Sequence, residues 1–180
     1  DMKICVAGAC GRMGRRIFEM ACAESDIEIT GALDIPALNG TVLTVGIECG
    51  RPLAITASSD ARAQIAQSDV LIDFTAAAAA VGNVRAACDL GKPAVVGTTG
   101  LDDNQRGKLL EMSSKIAIVH APNMSVGVNL LFKITAEVAA VLGLDYNVEI
   151  VEAHHNLKKD SPSGTAIRLA ECAAAPLGLD

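Results

Sequence analysis

The stretch Val6-Ala7-Gly8-Ala9-Cys10-Gly11-Arg12-Met13-Gly14 decides the fold, because three glycines in it join an apolar run to a helical pattern. Residues 4–7 predict a strand and residues 13–23 a helix. The Gly-x-x-Gly-x-x-Gly spacing is a variant of the dinucleotide-binding fingerprint. In that motif glycines form a tight turn, and backbone N–H groups approach a pyrophosphate at the helix N-terminus. A plain strand–turn–helix unit stays open as the alternative, since turns are rich in glycine.

An acidic residue follows the glycine loop at the distance that the fingerprint requires. Asp34 lies 20 residues after Gly14 and closes the apolar run at positions 27–33. A carboxylate at that place accepts hydrogen bonds from the hydroxyls of the adenosine ribose. The next residue, Ile35, offers no guanidinium to a 2′-phosphate, so the pair favours NADH over NADPH. The alternative is a solvated aspartate in an ordinary turn.

Apolar runs alternate with alanine-rich helical patterns along most of the chain. Strands are predicted at 4–7, 27–33, 70–74, 94–96, 116–119 and 148–151, and helices at 13–23, 61–66, 76–90, 103–113, 126–142 and 166–175. This alternation predicts an α/β fold, a Rossmann-type doubly wound parallel sheet. The glycine- and proline-rich segment 36–52 is predicted to be a loop or an irregular edge. We place a dinucleotide-binding domain at 1–124 and the N-terminal part of a smaller α+β substrate domain at 125–180, which looks incomplete at its C-terminus.

Three polar turns follow strands and should share the carboxyl edge of the sheet, where ligands bind. The first is Asp73-Phe74-Thr75. The other two supply candidate contacts to the nicotinamide end of a cofactor: Gly97, Thr98 and Thr99, and then Ala121, Pro122, Asn123 and Met124. Each turn alone could be purely structural, and it is their number at one edge that favours a site.

A polar segment from Glu152 to Ala166 concentrates titratable side chains ahead of a helix. His154, His155 and Lys158 precede Ser163, Gly164 and Thr165. The free N–H groups of Gly164 and Thr165 would form an anion site at the helix N-terminus. The segment therefore favours a clamp for a carboxylate or phosphate beside an imidazole. A metal site made of Glu152, His154, His155 and Asp160 is a weaker alternative, because adjacent side chains in an extended segment point in opposite directions. A solvated loop before a capped helix is the other alternative.

Composition excludes several classes of function. The 180 residues carry a net charge of -6, with no Trp, one Tyr and three Phe, which argues against a nucleic-acid partner. Asn129, Lys133 and Glu137 interrupt the most apolar long segment, so we expect no membrane span. The six cysteines are scattered without a Cys-x-x-Cys pair, which indicates reduced thiols and a cytoplasmic protein.

Taken together and in this order, the motifs resemble those of the dihydrodipicolinate reductase family of bacterial lysine biosynthesis, also called 4-hydroxy-tetrahydrodipicolinate reductases. The resemblance rests on the glycine loop, on the turns that begin at Asp73 and Gly97, and on the segments Pro122 to Asn129 and Glu152 to Ala166. It implies NADH or NADPH as cofactor, a substrate with two carboxylates, and a homotetramer.

The resemblance also implies roles for single residues. The cofactor pyrophosphate would lie at Gly8, Ala9, Cys10, Gly11, Arg12 and Met13, the ribose at Asp34, and the nicotinamide at the two later turns. His154 matches the general acid of the family and Lys158 its second catalytic residue. His155, Ser163, Gly164 and Thr165 match the segment that holds the substrate carboxylates.

The sequence departs from the family pattern in two ways that affect these roles. Cys10 stands where glycine is common, which puts an oxidation-sensitive thiol beside the phosphates. The family also continues beyond residue 180, so a non-catalytic NAD(P)-binding fragment stays open as an alternative. Another Rossmann oxidoreductase of amino-acid metabolism, such as a semialdehyde dehydrogenase, is disfavoured because Cys172 lacks the setting of a nucleophile.

Overall fold

The computed structural model describes residues 1–154, 156 and 161–179. The strands are β1 (Met2–Ala7), β2 (Ile27–Leu33), β3 (Val42–Val45), β4 (Leu53–Thr56), β5 (Val70–Asp73), β6 (Ala94–Val96) and β7 (Ile118–His120). The helices are α1 (Arg12–Ala23), α2 (Ala61–Ala66), α3 (Ala77–Asp89), α4 (Asp103–Ser113), α5 (Val126–Leu142) and α6 (Gly164–Ala174). Short 3-10 turns lie at Pro36–Leu38, Gly143–Asp145 and Ala175–Leu177. The chain divides into two compact units, Asp1–Ala121 and Pro122–Asp180.

The first unit is built on a five-stranded parallel sheet in the order β2-β1-β5-β6-β7. The central strand β1 is apolar on both faces because each face is covered. One face packs with Phe18 of α1 and Leu43 of β3, and the other with Ile65, Val84 and Met112 of α2, α3 and α4. Helices on both faces of a parallel sheet confirm the predicted doubly wound fold.

The order of the sheet reverses between β1 and β5, because β1 connects to β2 on one side and β5 lies on its other side. Ligands of open α/β sheets bind in the crevice beyond the carboxyl ends of the strands at such a reversal. The turns that follow β1 and β5 begin at Gly8 and Phe74. The fold therefore brings the glycine loop and the first polar turn to this crevice.

The prediction of a loop or an irregular edge at 36–52 was wrong in part. The segment contains β3, which forms an antiparallel hairpin with β4. Leu43 and Val45 are buried while Val42 and Thr44 are exposed, which is the alternation of a strand with one covered face. The prediction failed because the glycines and prolines around this short run dominate its composition.

The second unit contains α5 and α6, and its predicted strand at 148–151 is not a strand. A strand needs a hydrogen-bonded neighbour, and among the described residues of this unit no strand is present to pair with it. Ser125 caps α5 and Ser163 caps α6 through their hydroxyl oxygens.

Helix α5 is apolar and largely exposed. By length and composition alone, residues Val126–Asp145 could cross a membrane, with a mean hydropathy of 1.6 and 11% of that stretch buried. The expectation that no stretch is long and apolar enough was therefore wrong on this measure. Lys133 and Glu137 do not interrupt the pattern strongly enough, and they form an exposed ion pair at 3.8 Å one turn apart.

Candidate functional site

The glycine loop can be formed only by glycine at two of its positions. Gly8 has φ +79°, and a Cβ there would lie 2.5 Å from the carbonyl oxygen of Phe74. A Cβ on Gly14 would collide with the carbonyl oxygen of Gly8 and lie 2.8 Å from that of Ala9. The first turn of α1 thus packs directly against the loop, which brings its N–H groups to the end of β1.

The N-terminus of α1 has no side-chain cap. Its N-cap is Gly11, and among the described residues the structure shows no hydrogen bond for the N–H groups of Arg12, Met13 and Gly14. Helix α3 also begins without a side-chain cap, at Ala76, whereas α2, α4, α5 and α6 are capped by Asp60, Asp102, Ser125 and Ser163. Unpaired N–H groups and the positive end of the helix dipole suit the phosphates of a dinucleotide.

Asp34 follows β2 and holds the glycine loop. Its Oδ2 accepts a hydrogen bond from the Cys10 N–H at 2.7 Å, and its Oδ1 accepts one from the Ile35 N–H at 2.8 Å. Partial burial, together with the nearby Asp34 carboxylate, raises the pKa of the Cys10 thiol. A raised pKa lowers the fraction of reactive thiolate, and the oxidation sensitivity of Cys10 stays a prediction.

A cleft of about 370 Å³ opens beside Gly8 and Asp34 in the first unit. Its walls are mostly apolar, and its polar side chains besides Asp34 come from Ser59, Thr75 and Asn83. The apolar lining residues are Leu33, Ile35, Pro36, Ala76 and Ala79. Its size and mixed lining are typical of a small-molecule site at the reversal of an α/β sheet.

A buried carboxylate links the turns after β5 and β6. Asp73 is fully buried, and its Oδ1 accepts hydrogen bonds from the hydroxyls of Thr98 at 2.6 Å and Thr75 at 2.8 Å. The Thr98 hydroxyl also accepts from the Thr75 N–H at 2.9 Å. The Thr98 side chain is thus buried within the protein, while Thr99 is exposed. A Cβ on Gly97 would collide with the ring of Phe74, so this turn also packs closely on its neighbour.

The turn after β7 spans the boundary between the two units. The Ala121 N–H donates to the carbonyl oxygen of Val96 at 3.2 Å, which completes the first unit. Within the second unit, the Asn123 side chain accepts from the Ser125 N–H at 2.9 Å and donates to the Thr165 hydroxyl at 3.4 Å. The structure thus brings Asn123, a predicted cofactor residue, to Thr165, a predicted substrate residue. Pro122 and Met124 beside it are exposed.

Glu152 joins the predicted acid to the start of α6. Its Oε2 lies 3.4 Å from His154 Nδ1, and its Oε1 accepts a hydrogen bond from the Ser163 N–H at 2.9 Å. His154 keeps 39% of its side chain exposed, so its other ring nitrogen can meet a ligand. Ser163 is buried as the N-cap and accepts from the Ala166 N–H at 3.1 Å. Gly164 is exposed at the first turn.

Several sequence predictions concern residues that lie outside the described part of the chain. These are His155, Lys158 and Asp160. Within the part that is described, no group of three or more His, Cys, Asp or Glu side chains is arranged to hold a metal ion.

Two further residues of the first unit lie in or behind the wall of the candidate cleft, although no sequence motif assigns either of them a role. The motifs place Asp73 only in a polar turn, and they do not single out Asn83. Asn83 Nδ2 donates to Asp73 Oδ2 at 2.8 Å, and Asn83 lines the cleft. The sequence signal that could have identified them is an acidic residue at the end of an apolar strand, because a buried charge requires hydrogen-bond partners.

Two family models and many curated proteins match this chain. The model of "Dihydrodipicolinate reductase, N-terminus" matches residues 2–124, and that of "Dihydrodipicolinate reductase, C-terminus" matches residues 127–177. The 4-hydroxy-tetrahydrodipicolinate reductase of Citrifermentans bemidjiense is 44% identical over 180 residues, covering 99% of this chain and 67% of the relative. That of Syntrophotalea carbinolica is 45% identical over 183 residues, covering 99% and 67%.

A solved structure resembles the fold as a whole. It is a dipicolinate-bound dihydrodipicolinate reductase from Paenisporosarcina sp. TG-14, with a TM-score of 0.73 and 23% identity. The match covers 97% of this chain and 66% of that one. The chain thus spans about two thirds of the length of the relatives that it matches.

Proposed function

This chain belongs to the dihydrodipicolinate reductase family, whose members are NAD(P)H-dependent oxidoreductases of lysine biosynthesis, and we propose that it reduces 4-hydroxy-tetrahydrodipicolinate to tetrahydrodipicolinate. One observation carries the proposal: α1 begins uncapped behind a loop that only glycine can form, with the Asp34 carboxylate against that loop. This is the arrangement that a dinucleotide pyrophosphate and its ribose require.

The residues of the first unit fit the cofactor. The N–H groups of Arg12, Met13 and Gly14 would bind the pyrophosphate, and Asp34 the ribose hydroxyls. The turns at Gly97–Thr99 and Ala121–Met124 would hold the nicotinamide end. When bound, the reduced nicotinamide supplies a hydride to the substrate. Asp34 followed by Ile35 favours NADH, because Ile35 brings no cation to the 2′ position.

The residues of the second unit supply a proton and bind the substrate. The 4-hydroxyl group would leave as water to give the conjugated imine, which then accepts the hydride. His154 would donate a proton to the carbon next to the one that is reduced, which is a role suited to imidazole near neutral pH. Glu152 fixes the orientation of His154 and the start of α6 together. The N–H groups of Gly164 and Thr165, with Ser163, His155 and Lys158, would hold carboxylates. The dipicolinate bound to the solved relative supports a small dicarboxylate as substrate.

The proposal extends to the domain organisation, the oligomeric state and the cellular location. We assign residues 1–124 to cofactor binding and residues 125–180 to substrate binding and proton transfer. The family resemblance supports a homotetramer. The six cysteines, all free thiols, support a cytoplasmic location.

The proposal is tested by binding and turnover on this chain. NADH and NADPH are titrated by their own fluorescence, and oxidation of NADH is then followed with 4-hydroxy-tetrahydrodipicolinate generated enzymatically. We expect saturable binding, with NADH the tighter ligand, and turnover that depends on the substrate. A full-length relative is the positive control. Binding without turnover would support the alternative of a non-catalytic NAD(P)-binding fragment, and absence of binding would contradict both.

A further inference from the structure

Asn83 is held in one orientation by a buried carboxylate. Its Nδ2 donates to Asp73 Oδ2 at 2.8 Å, and Asp73 Oδ1 is already occupied by the hydroxyls of Thr75 and Thr98. An Asn side chain offers donors at its nitrogen and an acceptor at its oxygen. Because the nitrogen is committed to Asp73, Asn83 Oδ1 is fixed at the other end of the amide.

That oxygen is left for a ligand. Among the described residues the structure shows no hydrogen bond to Asn83 Oδ1, although Asn83 is only partly exposed and lines the 370 Å³ cleft. A carbonyl oxygen without a protein partner in the wall of a cleft favours a ligand that brings a donor. The cleft therefore has a fixed acceptor in its wall.

The rest of the cleft fits a planar base beside a ribose. Asp34 lines it, and the neighbouring walls are the apolar surfaces of Ile35, Pro36, Ala76 and Ala79. Such walls suit the faces of an aromatic ring, while its edge is read by hydrogen bonds.

The other polar side chains of the cleft do not distinguish an amino group from a carbonyl at the edge of the base. The Thr75 hydroxyl already donates to Asp73. The Ser59 hydroxyl can donate or accept, so it does not distinguish an amino group from a carbonyl. The fixed Asn83 oxygen can only accept, and it does distinguish them.

We propose that Asn83 determines base specificity, its Oδ1 accepting a hydrogen bond from the exocyclic amino group of the adenine of the cofactor. Asp73 is the positioning residue that holds the amide in this orientation. The inference rests on the proposed function, since it places the adenosine end of NADH or NADPH in this cleft. A base with a carbonyl in place of the amino group would meet Asn83 acceptor to acceptor.

The test compares NADH with reduced nicotinamide hypoxanthine dinucleotide, which carries a carbonyl in place of the adenine amino group. Both contain the same fluorescent dihydronicotinamide, so one titration method gives both Kd values on the full chain. We expect the wild-type chain to bind NADH about tenfold more tightly, the effect of losing one hydrogen bond and leaving a group unpaired. Equal Kd values would overturn the inference without touching the proposed function.

Two variants test the residue itself. Asn83→Ala should reduce the preference for NADH to less than about twofold. Asn104→Ala is the matched control, since Asn104 is exposed in the first turn of α4 and does not line the cleft, and it should keep the wild-type preference. Because both Kd values are measured on the same folded protein, a partial loss of stability cancels in their ratio.

The double variant Asp73→Asn with Asn83→Asp exchanges the two side chains and preserves the hydrogen bond between positions 73 and 83. The new amide at position 73 can donate to the new carboxylate at 83, whose other oxygen still accepts. We expect the preference for NADH to return. An unchanged preference in Asn83→Ala would overturn the role of Asn83. A wild-type chain that bound neither NADH nor NADPH would overturn the proposed function and this inference with it.

Discussion

The Asp34 carboxylate accepts a hydrogen bond from the Cys10 backbone N–H at 2.7 Å, which joins the end of β2 to the glycine loop after β1. A residue expected to bind the cofactor ribose thus also positions the loop that would bind the pyrophosphate. The same carboxylate faces the Cys10 thiol and the Ile35 backbone. The position of the glycine loop, the pKa of the Cys10 thiol and the backbone at Ile35 therefore all depend on the Asp34 side chain.

Ile35→Arg should shift cofactor preference towards NADPH. Ile35 lines the cleft beside Asp34 with 57% of its surface exposed, so the substitution costs little stability. A guanidinium there can form charge-assisted hydrogen bonds with a 2′-phosphate. We expect the ratio of Kd for NADPH to Kd for NADH to fall by about tenfold. Ile47→Arg, an exposed isoleucine outside the cleft, is the control, and a ratio equal in both variants would place Ile35 away from the 2′ position.

Asp34→Asn should make the Cys10 thiol more reactive. Partial burial raises the pKa of the Cys10 thiol, and the charge and hydrogen bond of Asp34 raise it further. Removing the charge therefore lowers that pKa towards its ordinary value. At pH 8, below the raised pKa, the thiolate fraction and the rate of alkylation by iodoacetamide should rise by about threefold or more. Peptide-resolved mass spectrometry measures the rate, and Asp26→Asn, at the opposite end of β2, should leave it unchanged.

Gly14→Ala and Gly82→Ala should change stability in opposite directions. A Cβ on Gly14 meets the backbone of Gly8 and Ala9, whereas one on Gly82 in α3 meets nothing within 4 Å. The first change should cost about 2 kcal/mol by overpacking and weaken NADH binding by displacing the loop. The second should add about 0.5–1 kcal/mol, because alanine favours a helix interior. Urea unfolding measures both, and a Gly14→Ala variant with wild-type stability and affinity would contradict the close packing.

The sequence predicts the first unit well where the signal is local. The apolar runs mark the five strands of the parallel sheet, and the Gly8–Gly14 spacing marks the loop that the structure builds at the end of β1. The hairpin of β3 and β4 escapes such prediction because each strand has four residues and takes its stability from packing Leu43 and Val45 against α1. Local composition does not report such packing.

The hydrogen bonds of the site could not be predicted for the same reason. Asp73, Asn83 and Thr98 come from a strand, a helix and a turn. Thr98 reaches Asp73 because β5 and β6 are neighbours in the sheet, and Asn83 reaches it because α3 packs beside β5. Glu152 is a similar case, since Ser163 lies 11 residues away along the chain. A motif indicates which side chains are candidates for binding or catalysis, but the fold determines which side chains position them through hydrogen bonds.

Asp73→Ala should destabilise the first unit strongly. The change leaves the Thr75 hydroxyl, the Thr98 hydroxyl and Asn83 Nδ2 without their acceptor in a buried place. Unpaired buried donors cost about 1–3 kcal/mol each, so we expect a loss of about 3 kcal/mol or more in the free energy of unfolding. Asp89→Ala, at the exposed end of α3, should change it by less than about 0.5 kcal/mol. Similar losses in both would mean that the carboxylate does not hold the turns together.

His154→Gln should lower kcat by about 100-fold, the usual effect of losing a general acid, while KM for the substrate and Kd for NADH stay near wild type. Glutamine can still donate to Glu152, so the hydrogen bond from the Ser163 N–H to that carboxylate should persist and the structure around α6 should be retained. The matched control is His120→Gln, because His120 is exposed at the end of β7 and has no role in the proposed mechanism. Steady-state kinetics of both variants decide the question. If His154→Gln turned over at the wild-type rate, His154 would not be the acid, and a fall in NADH affinity alone would assign it to cofactor binding instead.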